Sequence, residues 1–378
     1  MSRPPDAAEK RLEQLAHLLH GKRRLLIVTH DNPDPDTIAT GWALLRLARR
    51  LWRTRVDLAY GGIIGRGENR ALLEVLKVPL QRLEELDPAS YDAIALVDSQ
   101  PGAGNNSLPP GTVPAIVIDH HPMRRGTRDV PFHDVREDYG ASVTIAAEYL
   151  LAAGMRIDRR LATAIFYALK AETKNLGRDA SRADIKIFLE LFPLVDNHAL
   201  SQIEHPPIPR SYFSMIDQAI DGTRIHGRVA VTRSGELSNP DVVAEFADLM
   251  VRLEGIRWSF AIGRYGPDLW LSIRTNLERA NAGRMIRRIV GDLGMAGGHG
   301  MMAGGKIPDG AATPAKAMEL EEVLSTRALS LLRAEQTGVP LVEANGLVRR
   351  PHPRRPASPR RGPCPRRGAS PRKGTVAS

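Results

Sequence analysis

Four short apolar runs near the start of the chain leave it few ways to fold: RLLIVTH (24–30), VDLAY (56–60), DAIALVDS (92–99) and AIVIDHH (115–121). They are rich in Val, Ile and Leu and bounded by turn residues, as strands buried on both faces are. Between the first two lies DTIATGWALLRLARRLW (36–52). Its Ile38, Trp42, Leu45, Ala48 and Trp52 fall at three- and four-residue steps, the spacing of an amphipathic helix. Strand, helix and strand in that order predict a parallel α/β sheet.

Helical patterns fill 142 to 195, and SVTIAAEYLLAAG ends in Gly154, which suits a helix C-cap. The stretch 196–222 contains HPPIPR and no strand pattern, and reads as a linker. Strand signals return at GRVAVTR (227–233), WSFAIGRY (258–265) and DLWLSIRT (268–275). A helix over 281–293 then leads into GMAGGHGMMAGGK (294–306), and a last helix spans 314–336. At 378 residues the chain suits two domains, here 1–195 and a smaller α/β unit at 223–337.

The net charge of +10 resembles that of a nucleic-acid binder until its distribution is read. Residues 349–378 hold ten Lys and Arg and no acid; setting them aside leaves 43 basic residues against 43 acids. The basic character therefore belongs to a Pro/Arg-rich tail, 338–378, with PRR or PRK at 353, 359, 365 and 371. Proline blocks helix and sheet there and almost nothing apolar can be buried, so disorder is expected. Such a tail attracts RNA or anionic surfaces weakly, or is a solvated appendage. No apolar run approaches the ~20 residues that span a bilayer, so no membrane partner is expected. The charged first residues do not resemble a signal peptide, and a cytoplasmic location is the expectation. The only cysteine, Cys364, permits neither an intrachain disulfide nor a thiolate cage.

The informative polar residues stand where apolar runs stop. The first run ends in His30 and enters DNPDPD, with Asp34 and Asp36; the third ends at Asp98; the fourth at Asp119, His120 and His121. In an open parallel sheet, ligands bind outside the carboxyl ends of the strands, so these groups would converge. Converging carboxylates repel unless some protonate or a cation joins them. Taken singly, Asp98 is a turn or cap residue and NPDPD a proline-rich turn. Together, in this order and all at strand ends, they read as a metal centre; Asp31 is left as a loop residue. Carboxylates and imidazoles without sulfur suit Mn²⁺ or Mg²⁺, and Zn²⁺ less well. A carboxylate shared by two ions would hold them ~3.5–4 Å apart, as in-line phosphoryl displacement needs.

These residues resemble a known family. HDNPDPD, VDSQP and IDHHP are similar to the first three motifs of the DHH phosphoesterase superfamily, and GGHGMMAGG to the glycine-rich motif of its C-terminal substrate-binding domain, DHHA1. The resemblance covers roughly residues 20 to 330. It is greatest to the nanoRNase/pAp phosphatase group of RecJ-like enzymes. It implies that His30 and Asp34 bind one metal, Asp36 the other, and that Asp98 bridges both. His120 is then a ligand, His121 faces the substrate phosphate, and Asp119 orients its neighbours.

The fourth motif departs from the family's GIKTDT. ALKAET (168–173) puts Glu172 where a ligating Asp is expected, moving the carboxylate by roughly 1.5 Å. The resemblance still implies Glu172 as a metal ligand, and Arg178 in NLGRDAS as a phosphate contact. Consecutive glycines let a backbone approach an anion, so Gly297, Gly298 and His299 are expected at the nucleotide. Arg274, at a predicted strand end, would pair with a phosphate through its planar fork. The expected activity is hydrolysis of short RNA or of the 3′-phosphate of pAp by hydroxide on a Mn²⁺ pair, with Mg²⁺ the alternative. A formally neutral core fits that better than a long-duplex reader. The rivals are a DHH phosphodiesterase acting on linear or cyclic dinucleotides or longer single strands, and a non-catalytic nucleic-acid-binding protein on the same scaffold. The resemblance also implies a homodimer.

Overall fold

Parallel strands joined by helices build the first half of the computed structural model, which describes residues 7–342. Helix α1 (Ala7–Leu19) leads to β1 (Arg24–Val28), α2 (Pro35–Leu51), β2 (Arg55–Tyr60), α3 (Gly67–Leu76) and β3 (Leu80–Arg82). β4 (Ala93–Val97), β5 (Ile116–Asp119) and β6 (Phe132–Val135) complete one sheet in the order β3-β2-β1-β4-β5-β6. Every neighbouring pair is parallel, as the apolar runs imply. The order reverses between β1 and β4, which makes their carboxyl ends the switch point of the sheet.

Burial on both faces explains why the central strands carry no polar alternation. In β1, Leu25 and Ile27 join the core under α2, while Leu26 and Val28 pack on the opposite face with Leu96 and Val117. Helices α4 (Ser142–Ala152), α5 (Arg159–Glu172) and α6 (Arg182–Leu191) add to the first core. Gly154 follows the α4 cap with a φ of 61°, the left-handed conformation that ends a helix.

The stretch 196–222, expected to be a linker, instead carries α7 (Asn197–Glu204) and α8 (Arg210–Asp221). Leu200 and Ile203 of α7 are buried in the first core, whereas Met215 and Ala219 of α8 belong to the second domain. The connection shrinks to 205–209, HPPIP, where prolines block a continuous helix.

The second domain holds β7 (Thr223–His226), β8 (Val229–Glu236), α9 (Asp241–Met250), β9 (Trp258–Tyr265), β10 (Asp268–Thr275), α10 (Ala282–Val290), β11 (Met295–His299), β12 (Met302–Ile307), α11 (Pro314–Leu332) and β13 (Val339–Pro340). Its sheet runs β11-β12-β10-β9-β8-β7-β13 and is antiparallel except for β8–β9, whose crossover is α9. The glycine-rich segment is a hairpin, since β12 pairs with both β11 and β10. β13 pairs with β7, so the stretch expected to be disordered from 338 begins with an edge strand. From 343 onward that expectation lies outside the described residues. Among the described residues no helix is long and apolar enough to cross a membrane.

Candidate metal centre

Four stretches of chain meet at the switch point. His30 follows β1, and its Nε2 lies 3.6 Å from Oδ1 of Asp34 and 3.5 Å from Oδ2 of Asp98. Asp34 caps α2, accepting the N–H of Thr37 at 3.1 Å, and Asp36 occupies the first turn of that helix. Thr37 ties the same turn to β4 by donating to the carbonyl of Val97 at 3.0 Å. Asp98 has a φ of 54°, a left-handed conformation uncommon outside glycine, directly after β4. Its Oδ1 lies 3.7 Å from Nε2 of His120 and 3.5 Å from Nδ1 of His121. Nε2 of His120 is also 3.9 Å from Oδ2 of Asp36.

These separations, 3.5–3.9 Å, exceed those of good hydrogen bonds. They suit atoms that share a cation. Two groups have all their ligand atoms within 4.8 Å of one another, His30–Asp34–Asp98 and Asp98–His120–His121, and Asp98 belongs to both. The imidazoles are set up for ligation. Nδ1 of His30 meets the carbonyl of Asp31 at 2.9 Å and Nδ1 of His120 that of Tyr139 at 3.1 Å. A proton held on Nδ1 by a carbonyl leaves Nε2 as the donor to a metal. Asp31, read as a loop residue, thus contributes its main chain.

Burial and mutual charge place unequal demands on these groups. Burial, together with the charges of Asp98, Asp34 and Glu172, pushes the Asp36 carboxyl well above its ordinary range. Asp98 moves the other way: burial opposes its charge, but the neighbouring imidazoles of His30, His121 and His120 hold its pKa far below the usual value. Burial works against a charged His30, yet Asp34 and Asp98 raise it well above normal. His121 is likewise raised to about 9, its Asp119 hydrogen bond and the charge of Asp98 outweighing burial. Packed carboxylates that draw protons onto their neighbours are what a dication would replace. The donor set of carboxylates and imidazoles fits Mn²⁺ or Mg²⁺.

Asp119 lies behind the histidines. Its Oδ1 accepts the N–H groups of His120 and His121 at 2.8 and 3.1 Å and meets Nδ1 of His121 at 2.9 Å. Two residues that sequence reasoning missed complete the frame. Gln100 donates to Oδ2 of Asp119 at 2.7 Å and accepts from Arg124 N and Thr127 Oγ1, both at 2.7 Å. Ser142 donates its hydroxyl to Oδ1 of Asp98 at 2.8 Å. The N–H groups of Ser142 and Val143, at the start of α4, donate to Asp36, each at 2.8 Å. Gln100 stands inside VDSQP; nothing in the spacing marks Ser142.

The remaining candidates lie around this centre. Glu172 ends α5 and belongs to neither ligand group; its Oε1 accepts from Arg178 Nη2 at 3.2 Å. Burial and the charges of Asp34 and Asp98 still raise its pKa, so it faces the cluster. Arg178 also reaches Sδ of Met302 in the second domain at 3.5 Å. Arg274 is buried, with Nε on Oδ1 of Asp248 at 2.6 Å. Gly297 and Gly298 lie in β11, opposite Gly304 and Ala303. The backbone of His299 pairs with Met302, and its side chain lies outside what is described.

No family model matches the chain. An uncharacterized protein from Methanocaldococcus jannaschii is 35% identical over 292 residues, 76% of this chain and 59% of that one. The chain therefore spans about three fifths of the length of this relative. Among solved structures, an exopolyphosphatase-related protein from Bacteroides fragilis matches with a TM-score of 0.64 at 13% identity, over 86% of this chain and 98% of that one. RecJ from Thermus thermophilus, solved in complex with Mn²⁺, matches with a TM-score of 0.46 at 16% identity, over 86% of this chain and 56% of that one. The likeness to the exopolyphosphatase-related protein shows a common α/β fold.

Proposed function

We propose that the chain is a divalent-metal-dependent phosphoesterase of the DHH type, acting on short RNA oligonucleotides or on the 3′-phosphate of pAp. One observation carries this reading: the two carboxylate oxygens of Asp98 face different histidines, Oδ2 toward His30 and Oδ1 toward His120. A carboxylate so divided can serve two ions. His30 and Asp34 would complete one position, and Asp36 and His120 the other. Two divalent cations held there would neutralise phosphoryl oxygens and lower the pKa of water.

The chain's own groups do the rest. Asp119 holds His121 through Nδ1, so that the imidazole can hold the substrate phosphate or hand a proton to the leaving oxygen. Gln100 fixes Asp119, and Tyr139 fixes His120. Arg178 and Arg274 supply cations beside the hairpin at Met302 and Ala303, where a nucleotide phosphate would lie between the domains.

The test is a substrate panel of pAp, di- to five-nucleotide RNA, short DNA and linear dinucleotides with Mn²⁺. Turnover that a chelator stops and added Mn²⁺ restores is the expected result. No turnover with any divalent ion, alongside measurable RNA binding, would instead identify a non-catalytic nucleic-acid-binding protein.

A further inference from the structure

Asp248, on α9, holds one arginine from each domain. Its Oδ2 accepts from Nη2 of Arg66 at 3.0 Å and its Oδ1 from Nε of Arg274 at 2.6 Å. Arg66 stands immediately before α3 in the metal-bearing domain, and Arg274 lies near the end of β10 in the other.

Arg274 is held without this carboxylate, and the backbone that carries Arg66 is anchored without it too. Nη1 of Arg274 already donates to Oγ of Ser272 at 2.7 Å and to the carbonyls of Ile273 and Ala303 at 3.0 and 3.2 Å. The main chain at Arg66 is fixed separately, because the N–H groups of Gly65 and Arg66 donate to Oδ2 of Asp241 at 3.0 and 3.1 Å. Gly65 lies so close that a Cβ there would be 2.4 Å from that oxygen. What Asp248 adds is a negative charge with two oxygens, the fork that a phosphate also presents to guanidinium groups.

The pair is within reach of a ligand, since the side chains of Arg66 and Asp248 are 40% and 37% exposed. It also adjoins the glycine-rich hairpin. Arg274 donates to Ala303, and Arg178 contacts the neighbouring Met302 while reaching Glu172 beside the metal centre.

We infer that Asp248 is a displaceable stand-in for a substrate phosphate, bridging Arg66 and Arg274 in the free protein and giving both up when that phosphate binds. The inference rests on the proposed function only in requiring a substrate that carries a phosphate. It makes Arg66 a phosphate-binding residue supplied by the first domain, opposite Arg274.

The experiment is calorimetric titration of the full chain with adenosine 5′-monophosphate in the presence of chelator, with thermal melts to establish that each variant is folded. Asp248→Ala should bind the nucleotide roughly three- to tenfold more tightly than the parent protein. Arg66→Gln should bind it more weakly by a similar factor. Asp248→Ala binding no more tightly than the parent would mean that the carboxylate orients Arg274, and would overturn the inference. So would unchanged binding by Arg66→Gln, or no binding by any folded variant. Hydrolysis with Mn²⁺ is measured separately. Loss of the binding pattern with hydrolysis intact sinks the stand-in alone, and the pattern without hydrolysis sinks the proposed activity alone.

Discussion

Oδ2 of Asp98 lies 3.5 Å from Nε2 of His30, joining the end of β4 to the end of β1 across the switch point of the sheet. The other oxygen of Asp98 turns to His120 and is steadied by the hydroxyl of Ser142. If this carboxylate serves two ions, its loss must weaken both. Asp98→Asn is the cleanest substitution, because Asn tolerates the left-handed φ of 54° better than most residues and keeps the side-chain volume. Circular dichroism should show the variant still folded. Mn²⁺ affinity should fall by more than about 100-fold, beyond what loss of an outer partner to a metal ligand causes. Calorimetric titration that still finds two ions at parental affinity would remove the bridging role.

Glu172 should matter less than Asp98. Its Oε1 is engaged by Arg178 at 3.2 Å, and it stands outside both ligand groups. Its charge still acts on the cluster, as the raised pKa of Asp36 shows. Glu172→Gln should therefore weaken Mn²⁺ binding by about 10- to 100-fold, as loss of a partner to a metal ligand does. A loss as large as that in Asp98→Asn would show that Glu172 leaves Arg178 and ligates directly.

The glycine-rich hairpin allows packing and ligand approach to be separated at adjacent residues. Gly298 has a φ of 132°, and a Cβ there would lie 2.5 Å from Cα of Ala303 on the paired strand. Gly298→Ala should destabilise the protein by about 2–3 kcal/mol, the cost of forcing such a conformation. At Gly297 nothing lies within 4 Å of an added Cβ. Gly297→Ala should thus leave stability within about 0.5 kcal/mol of the parent. Denaturant unfolding of the two variants checks both. Equal losses would mean that crowding does not distinguish the positions.

Central and peripheral elements differed in how plainly they could be read. β1, β4 and β5 are nearly continuous apolar runs because they are central, and β2, one place from the edge, is apolar apart from Arg55 and Asp57. β3 and β6 lie at the two ends of the sheet, span three and four residues, and include Gln81, Arg82, His133 and Asp134, so no apolar run marks them. The prolines at 206, 207 and 209 concealed two flanking helices whose apolar residues go to different cores. At the site, His30, Asp98 and His120 stood out because each interrupts or ends an apolar run. Gln100 and Ser142 are ordinary polar residues whose roles come from partners 19 and 44 residues away. Spacing along the chain carries no trace of that.

Asp134 gives a pH test of the fold away from the metal centre. Its side chain is 4% exposed and accepts from Nε and Nη2 of Arg136 at 3.0 and 2.8 Å, with Tyr149 as a further donor. Burial opposes the charge, but Arg136 and Tyr149 prevail and hold the pKa of Asp134 below its ordinary value. A carboxyl depressed on folding contributes stability above its unfolded pKa, near 4, and loses it as pH falls through the folded value. Asp134→Asn removes the charge while leaving Arg136 and Tyr149 in place. At pH 7 the variant should be less stable by about 3 kcal/mol, as when one partner of a buried pair is lost. The gap between parent and variant should narrow as pH falls below about 4, where the unfolded parent takes up the proton that the folded carboxyl still refuses, and close below the folded pKa. Urea unfolding at a series of pH values measures that gap directly, and a difference that stayed constant down to pH 2 would mean that shape rather than charge holds Arg136 and Tyr149 together.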